Sequence, residues 1–229
     1  MRSEPPDPAT DFTETGQAWF RSALAEDALL EVDAWVRLAN RPGQRINTAM
    51  PRDAVDAISG LVQPLLPDAA LVRAVAFNKA GDTNWAVPWH QDRVIAVTEQ
   101  QDVDGFRNWT CKDGVWHCEP PVETLQKMIF VRLHLDAADL ANGCMEIAPR
   151  SHKLGIIPAN KANDVAAALG AEACIAGRGD LQVLNMLTLH RSRPASQPRP
   201  RRAVRLDFAA TALPMDLRFA GSDVRAAAS

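Results

Sequence analysis

The residues able to do chemistry gather at Trp89-His90-Gln91-Asp92 and at His190, 100 positions further on. Two imidazoles and one carboxylate are the donors of a mononuclear iron(II) facial triad, which holds one face of the ion and leaves positions for a co-substrate and dioxygen. The spacing has a physical reason. In an extended segment the side chains at i and i+2 point to the same side, so His90 and Asp92 can reach one ion while Gln91 turns away. Taken alone, His-x-Asp is weak, because a solvated strand end carries the same letters.

These groups need a scaffold, and the pattern predicts one. Residues 1–14 are polar and proline-rich and read as a frayed tail. Residues 15–70 read as a helical region, with one helix over 25–39 and a second opened by Pro51, whose apolar face is Val55, Ile58 and Val62. From residue 71 the character changes to short strands: 71–77, the segment around His90, 128–135, 144–148, 181–189 running into His190, and an alternating strand through Val204, Leu206 and Phe208. A short helix is expected over 163–169, capped by Asn163 and stopped by Gly170. Residues 98–125 read as a long functional loop, a lid or a structural insertion. The whole is a single domain of 229 residues, mainly β with flanking α-helices, of closed or sandwiched antiparallel type.

Composition narrows the function classes. Hydrophobic content of 47% and charged content of 23% are ordinary for a globular chain. A net charge of −3 gives no global pull toward nucleic acid or anionic membrane. The N-terminus lacks the apolar core of a signal peptide, no run approaches the ~20 apolar residues of a membrane helix, and the four cysteines form no C-x-x-C pair. A cytoplasmic location is expected, with neither nucleic acid nor membrane as partner. Cys111, His117 and Cys118 match no common zinc spacing. His117 reads as a surface residue. The arginines at 191, 193, 199, 202 and 205 read as a solvated basic face.

Three blocks carry a family likeness: Phe77-Asn78-Lys79 through Trp89-His90-Gln91-Asp92; Arg132-Leu133-His134 through Asn142-Gly143 and Pro149-Arg150-Ser151-His152; and Gly179-Asp180 through His190-Arg191-Ser192 to Arg201-Arg202. In this order they resemble the phytanoyl-CoA dioxygenase family of iron(II)- and 2-oxoglutarate-dependent oxygenases. The resemblance implies a double-stranded β-helix (a cupin-like jelly roll) over about 71–210, with His90, Asp92 and His190 as the metal ligands. It implies iron(II), 2-oxoglutarate and dioxygen as cofactor and co-substrates, and hydroxylation of a small molecule with release of succinate and carbon dioxide. Arg201, eleven residues after His190, falls where the family pairs an arginine with the far carboxylate of 2-oxoglutarate. A guanidinium fork suits that task, and Arg202 is its rival. Ser192 falls where the family adds a hydroxyl to the same carboxylate, and Lys79 is a further candidate.

Strand parity places Ile129, Val131, Leu133 and Leu135 against the helices, and Arg132 and His134 in the cavity near co-substrate or substrate. His152 reads as structural. Arg150 stands where the family has a glycine, which puts the local loop conformation in doubt but removes no ligand. The same oxidant can also drive desaturation, ring closure or epimerisation. A metal-binding barrel without oxidase activity, acting as sensor or binding module, is the alternative from another class.

Overall fold

The computed structural model describes residues 7–36, 43–78, 84 and 86–221. The helices are α1 (Pro8–Thr15), α2 (Glu26–Trp35), α3 (Arg52–Val62), α4 (Val122–Gln126) and α5 (Ala162–Leu169). The strands are β1 (Gln17–Phe20), β2 (Gln44–Ile46), β3 (Ala70–Asn78), β4 (Val87–His90), β5 (Ile95–Val97), β6 (Arg107–Lys112) and β7 (Val115–Glu119). They continue with β8 (Met128–His134), β9 (Met145–Ile147), β10 (Glu172–Ala173), β11 (Leu181–Asn185), β12 (His190–Ser192) and β13 (Arg202–Ala209).

A six-stranded sheet has the order β1-β11-β8-β13-β3-β2, and a four-stranded sheet the order β10-β9-β12-β4. Phe130 and Leu184 from the first meet Met145 and Ile147 from the second in one apolar cluster. This is the jelly roll of two antiparallel sheets. The outer face of the large sheet carries the helices: Leu29 and Val32 of α2 and Ala54, Ile58 and Val62 of α3 pack on Ile129, Val131, Leu133, Val204, Leu206 and Phe208. Burying each large aliphatic side chain there contributes about 1.5–3 kcal/mol. The strand parity read from the sequence therefore holds on β8, and the alternating residues of β13 divide the same way. Their other face, with Arg132, His134, Arg205 and Asp207, is left for the cavity.

Several expectations are corrected. The tail expected over 1–14 is helical from Pro8 to Thr15; the Asp7 side chain accepts from Thr10 N, proline opens the first turn, and left-handed Gly16 ends it. α5 begins at Ala162, and no side chain caps it. The strand expected to run straight into His190 stops at Asn185, where an Asn side chain accepts from Leu187 N at 2.9 Å and turns the chain. The 98–125 stretch is not an open loop. It forms a β6–β7 hairpin that joins β5 in a three-stranded sheet, followed by α4. Asp113 and Gly114 at its tip both have positive φ, 50° and 76°, the signature of a type I′ turn.

Candidate metal centre

β4 and β12 run antiparallel, with His90 directly opposite His190. Their rings lie 4.2 Å apart and are tilted by 54°. Asp92 follows just beyond β4, and its backbone N–H donates to the Met186 carbonyl at 3.1 Å, which ties this segment to the turn before His190. Gln91 turns the other way and stitches that turn in place. Its amide donates to Leu187 O at 2.7 Å and Gly155 O at 2.8 Å and accepts from Ile157 N at 2.8 Å.

The donor chemistry fits a metal. One donor atom from each of His90, Asp92 and His190 lies within 4.8 Å of the others, and no other such trio occurs among the described residues. Ligands at about 2.0–2.2 Å from one ion must be this close together. Each histidine presents the right nitrogen. His90 Nδ1 lies 2.8 Å from Pro88 O, and His190 Nδ1 lies 2.9 Å from Thr188 O. A carbonyl only accepts, so Nδ1 carries the proton and the Nε2 lone pair is left for the ion. Burial and the neighbouring His190 push the His90 imidazole below its ordinary value, so it is neutral, as ligation requires.

Burial would raise the Asp92 carboxyl, but Arg205 and His190 outweigh it and hold it well below the usual range. His190 Nε2 is 3.2 Å from Asp92 Oδ2, and Arg205 Nη1 donates to the same oxygen at 2.7 Å. Arg205 Nε donates to Asp207 at 2.6 Å, Asp207 also meets Arg73 at 3.4 Å, and the Arg205 guanidinium lies 4.3 Å over the Phe130 ring. The basic face read from the sequence is corrected at Arg205, while Arg193 and Arg199 are exposed as read. Arg205 is buried, Arg191 and Arg193 share Glu146, Arg199 holds Asp139, and Arg202 bridges Asp136 and Asp33.

The register of the large sheet sets Arg45, Val75, Arg205, Arg132 and Gln182 in one transverse row on the cavity side. A cavity of about 250 Å³ opens over this row, lined by the triad together with Arg73, Arg132 and Ser192. A larger hollow of about 660 Å³ by Asp68, Val72 and Leu213 contains none of the triad. Among the described residues Arg132 donates to the Met145 sulfur at 3.8 Å and lies 5.9 Å over the Phe77 ring, and its Nε has no hydrogen-bond partner. Arg201 is buried, is not among the residues lining the cavity, and likewise has an unpartnered Nε. Burial and the Arg201 charge push the Arg132 guanidinium down to about 10. Neither guanidinium has a carboxylate partner among the described residues. Arg202, by contrast, points to the helix side, clamped by Asp136 and Asp33. Ser192 Oγ donates to Gly143 O at 3.3 Å. Lys79 lies outside the described residues.

The other histidines separate. His134 is buried with both ring nitrogens unpartnered, and burial with Arg132 pushes it down to about 3, so it is neutral. His152 faces Thr13 O at 3.3 Å, a structural contact. His117, expected at the surface, is instead half-buried, with Arg45 Nη2 donating to its Nε2 at 3.2 Å.

A jelly roll with two histidines and one carboxylate at the mouth of its sheets defines the class: a non-haem metal oxygenase scaffold. The chain belongs to the phytanoyl-CoA dioxygenase family, whose profile matches residues 12–203. Membership and the triad together make iron and 2-oxoglutarate its cofactor set. No curated protein matches the sequence. Among solved structures the chain is similar to AviO1 from Streptomyces viridochromogenes Tue57, at 20% identity and a TM-score of 0.65, covering 93% of this chain and 99% of that one. It is similar to the non-haem α-ketoglutarate-dependent epimerase SnoN from nogalamycin biosynthesis, at 17% identity and a TM-score of 0.65, over 88% and 79% of the two chains. It is also similar to EctD from S. alaskensis, solved with 2-oxoglutarate and 5-hydroxyectoine, at 16% identity and a TM-score of 0.65, over 88% and 74%. At these identities the likeness concerns the fold. No helix among the described residues is long and apolar enough to cross a membrane.

Proposed function

We propose that the protein is an iron(II)- and 2-oxoglutarate-dependent dioxygenase that hydroxylates a small organic molecule. One observation carries the reading: a triad with both Nε2 lone pairs presented shares its cavity with Arg132, a half-buried guanidinium that lacks a carboxylate among the described residues, and buried Arg201, close enough to act on Arg132, lacks one too. An unpaired buried charge is costly, and a dianionic co-substrate that meets the metal at one end and these arginines at the other relieves it.

Iron with 2-oxoglutarate supplies an oxidant able to take hydrogen from an unactivated carbon, with succinate and carbon dioxide as co-products. The chain does the rest. His90, Asp92 and His190 hold the ion, and the Pro88 and Thr188 carbonyls fix the rings. Arg205 holds the Asp92 carboxylate in one orientation. Arg201, at the position the family uses, takes the far carboxylate of the co-substrate together with Arg132 and Ser192, which line the cavity with Phe130 and Phe77 as apolar walls. The likeness to an epimerase keeps a second outcome of the same oxidant in view, and product analysis separates the two.

The test is anaerobic titration of purified protein with iron(II) and 2-oxoglutarate, following the weak visible charge-transfer band of the chelate. The band is expected in the wild type, absent in His90→Ala, and shifted to at least tenfold higher 2-oxoglutarate in Arg201→Ala. Iron bound without a band points to the non-oxidative binding module instead.

A further inference from the structure

The transverse row of cationic residues does not end at the co-substrate. Beyond Arg205, on the side of the sheet away from Arg132, the row reaches Arg45 on β2. A second hollow of about 270 Å³ opens there under the β6–β7 hairpin, lined by Arg45, Arg73, Lys112, His117 and Asp113 among others. Arg73 lines both hollows, so the two share a wall, and the second is termed the antechamber.

Its electrostatics are one-sided. Arg45 is half-buried, yet among the described residues it donates only to neutral acceptors, Ala220 O at 2.9 Å and His117 Nε2 at 3.2 Å. His117 Nδ1 lies 3.0 Å from Val115 O, so Nδ1 carries the proton and Nε2 is the acceptor that orients Arg45. Burial and the facing Arg73 both push the Arg45 guanidinium down. Arg73 leans on Asp207, but that carboxylate is already bound to Arg205, and Arg73 Nε is buried without a partner. Lys112 adds a third cation at the rim against a single lining carboxylate, Asp113. Arg45, with no carboxylate partner among the described residues, and Arg73, which shares Asp207 with Arg205, leave an excess of positive charge here, and fixed guanidiniums in excess form a receptor for an anion. The co-substrate cannot serve both ends, because its two carboxylates are taken by the metal and by the Arg132 side.

We propose that the antechamber binds an anionic group of the substrate, a carboxylate or a phosphate, gripped by Arg45 with Arg73 and Lys112. This rests on the oxygenase reading above and narrows its substrate class. Two strand spacings, about 10 Å, separate the Arg45 and Arg205 backbones. The substrate is therefore a small anion whose charged group lies several bonds from the carbon presented to the metal. A neutral substrate would leave that excess positive charge uncompensated.

The experiment is calorimetric titration of methyl phosphate and, separately, acetate into protein loaded anaerobically with iron(II) and 2-oxoglutarate, so that the inner anion site is filled. Saturable binding of one probe is expected, weakened at least tenfold in Arg45→Gln and about threefold in Lys112→Gln. Arg201→Gln should weaken 2-oxoglutarate while leaving the probe affinity within twofold at saturating co-substrate. Lys112 is exposed, so its variant reads the site even where Arg45→Gln folds poorly. Preference for methyl phosphate or for acetate decides between a phosphorylated and a carboxylic substrate. The proposal is overturned if neither probe binds, or if Arg45→Gln and Lys112→Gln bind them as the wild type does. That failure is separable from failure of the oxygenase reading, in which the charge-transfer band itself is missing while the probes still bind.

Discussion

Replacing Arg132 with methionine should stabilise the ligand-free protein and abolish its response to 2-oxoglutarate. Arg132 sits on the inner face of β8 with no carboxylate among the described residues, weak contacts to the Met145 sulfur and the Phe77 ring, and an unpartnered Nε. A guanidinium that ordinarily titrates near 12.5 is pushed to about 10. At 1.36 kcal/mol per pH unit, the charged form carries a cost of about 3 kcal/mol. Part of the side chain reaches cavity water, so the recoverable gain is nearer 1–2 kcal/mol. Methionine matches the length of the stem and tolerates an irregular wall. For a chain of this size that gain raises the melting temperature by about 2–8 °C. The cost is present at every pH below about 10, so the gain is the same at pH 6 and pH 8. In the wild type, 2-oxoglutarate at 100 times its Kd, with metal present, adds about 2.7 kcal/mol by mass action, and Arg132→Met should show little of it. Scanning calorimetry with and without 2-oxoglutarate reads both effects. A variant that melts below the wild type, or that keeps the full response to 2-oxoglutarate, refutes the argument that Arg132 is an uncompensated charge awaiting an anion.

Arg150 holds a left-handed backbone, φ 69°, at the start of the Ser151–Leu154 turn; Arg150→Gly should stabilise by about 0.5–1 kcal/mol in urea unfolding, and a loss would show that its side chain matters more than its φ. A side chain at Gly16 would meet Thr188 Oγ1 at 2.4 Å and keep a φ of 84°, so Gly16→Ala should cost at least about 2 kcal/mol and weaken metal binding, read by calorimetry, by shifting the carbonyl that orients His190. Burial pushes the Asp136 carboxyl up, but its Arg202 hydrogen bonds outweigh this and hold it below the ordinary value. A depressed carboxylate contributes stability above its unfolded pKa and loses it as pH falls through the folded one. Arg202→Met should therefore cost about 1 kcal/mol at pH 7 and less below about pH 4, and an equal cost at both would refute the pairing. Of the four thiols, only Cys111 is exposed, and burial pushes Cys118 and Cys174 up to about 12. A thiol reagent at pH 8 should label one site quickly in the native state and the remaining three on unfolding.

The two faces of β8 and β13 were legible because period-two alternation alone decides which side a strand residue takes, whereas joining His190 to the His90 and Asp92 pair took the family resemblance, since nothing local links positions 100 apart. The α1 helix was also written locally, in Asp7-Pro8 and Gly16, but a proline-rich polar start hides a cap followed by a permitted first-turn proline. The Asp113-Gly114 tip was an equally plain hairpin signal, lost because the flanking Arg107–Lys112 strand is mostly exposed and carries no apolar alternation. What no local pattern could give is the bond between Arg205 and Asp92, 113 residues apart, or the burial of Arg45 beside His117. Both depend on sheet order, which brings β2 to the edge of β3 and β13 between β3 and β8. Charged residues that look like solvated surface in one dimension become a lined chamber in three.

The two metal-binding rings are oriented by the carbonyls of Pro88 and Thr188, each two positions before its own histidine. Many metal sites delegate this task to a distant side chain, whose loss costs 10–100-fold in affinity. Here the support is main chain, and no single side-chain substitution deletes a carbonyl. Each histidine travels with its own bracket as a three-residue cassette. The walls contributed by β2, β3 and the β6–β7 hairpin can then change in size and charge without disturbing how the imidazoles point. Such a scaffold is open to substrate drift: its chemistry is written in backbone, and its selectivity in side chains that are free to vary.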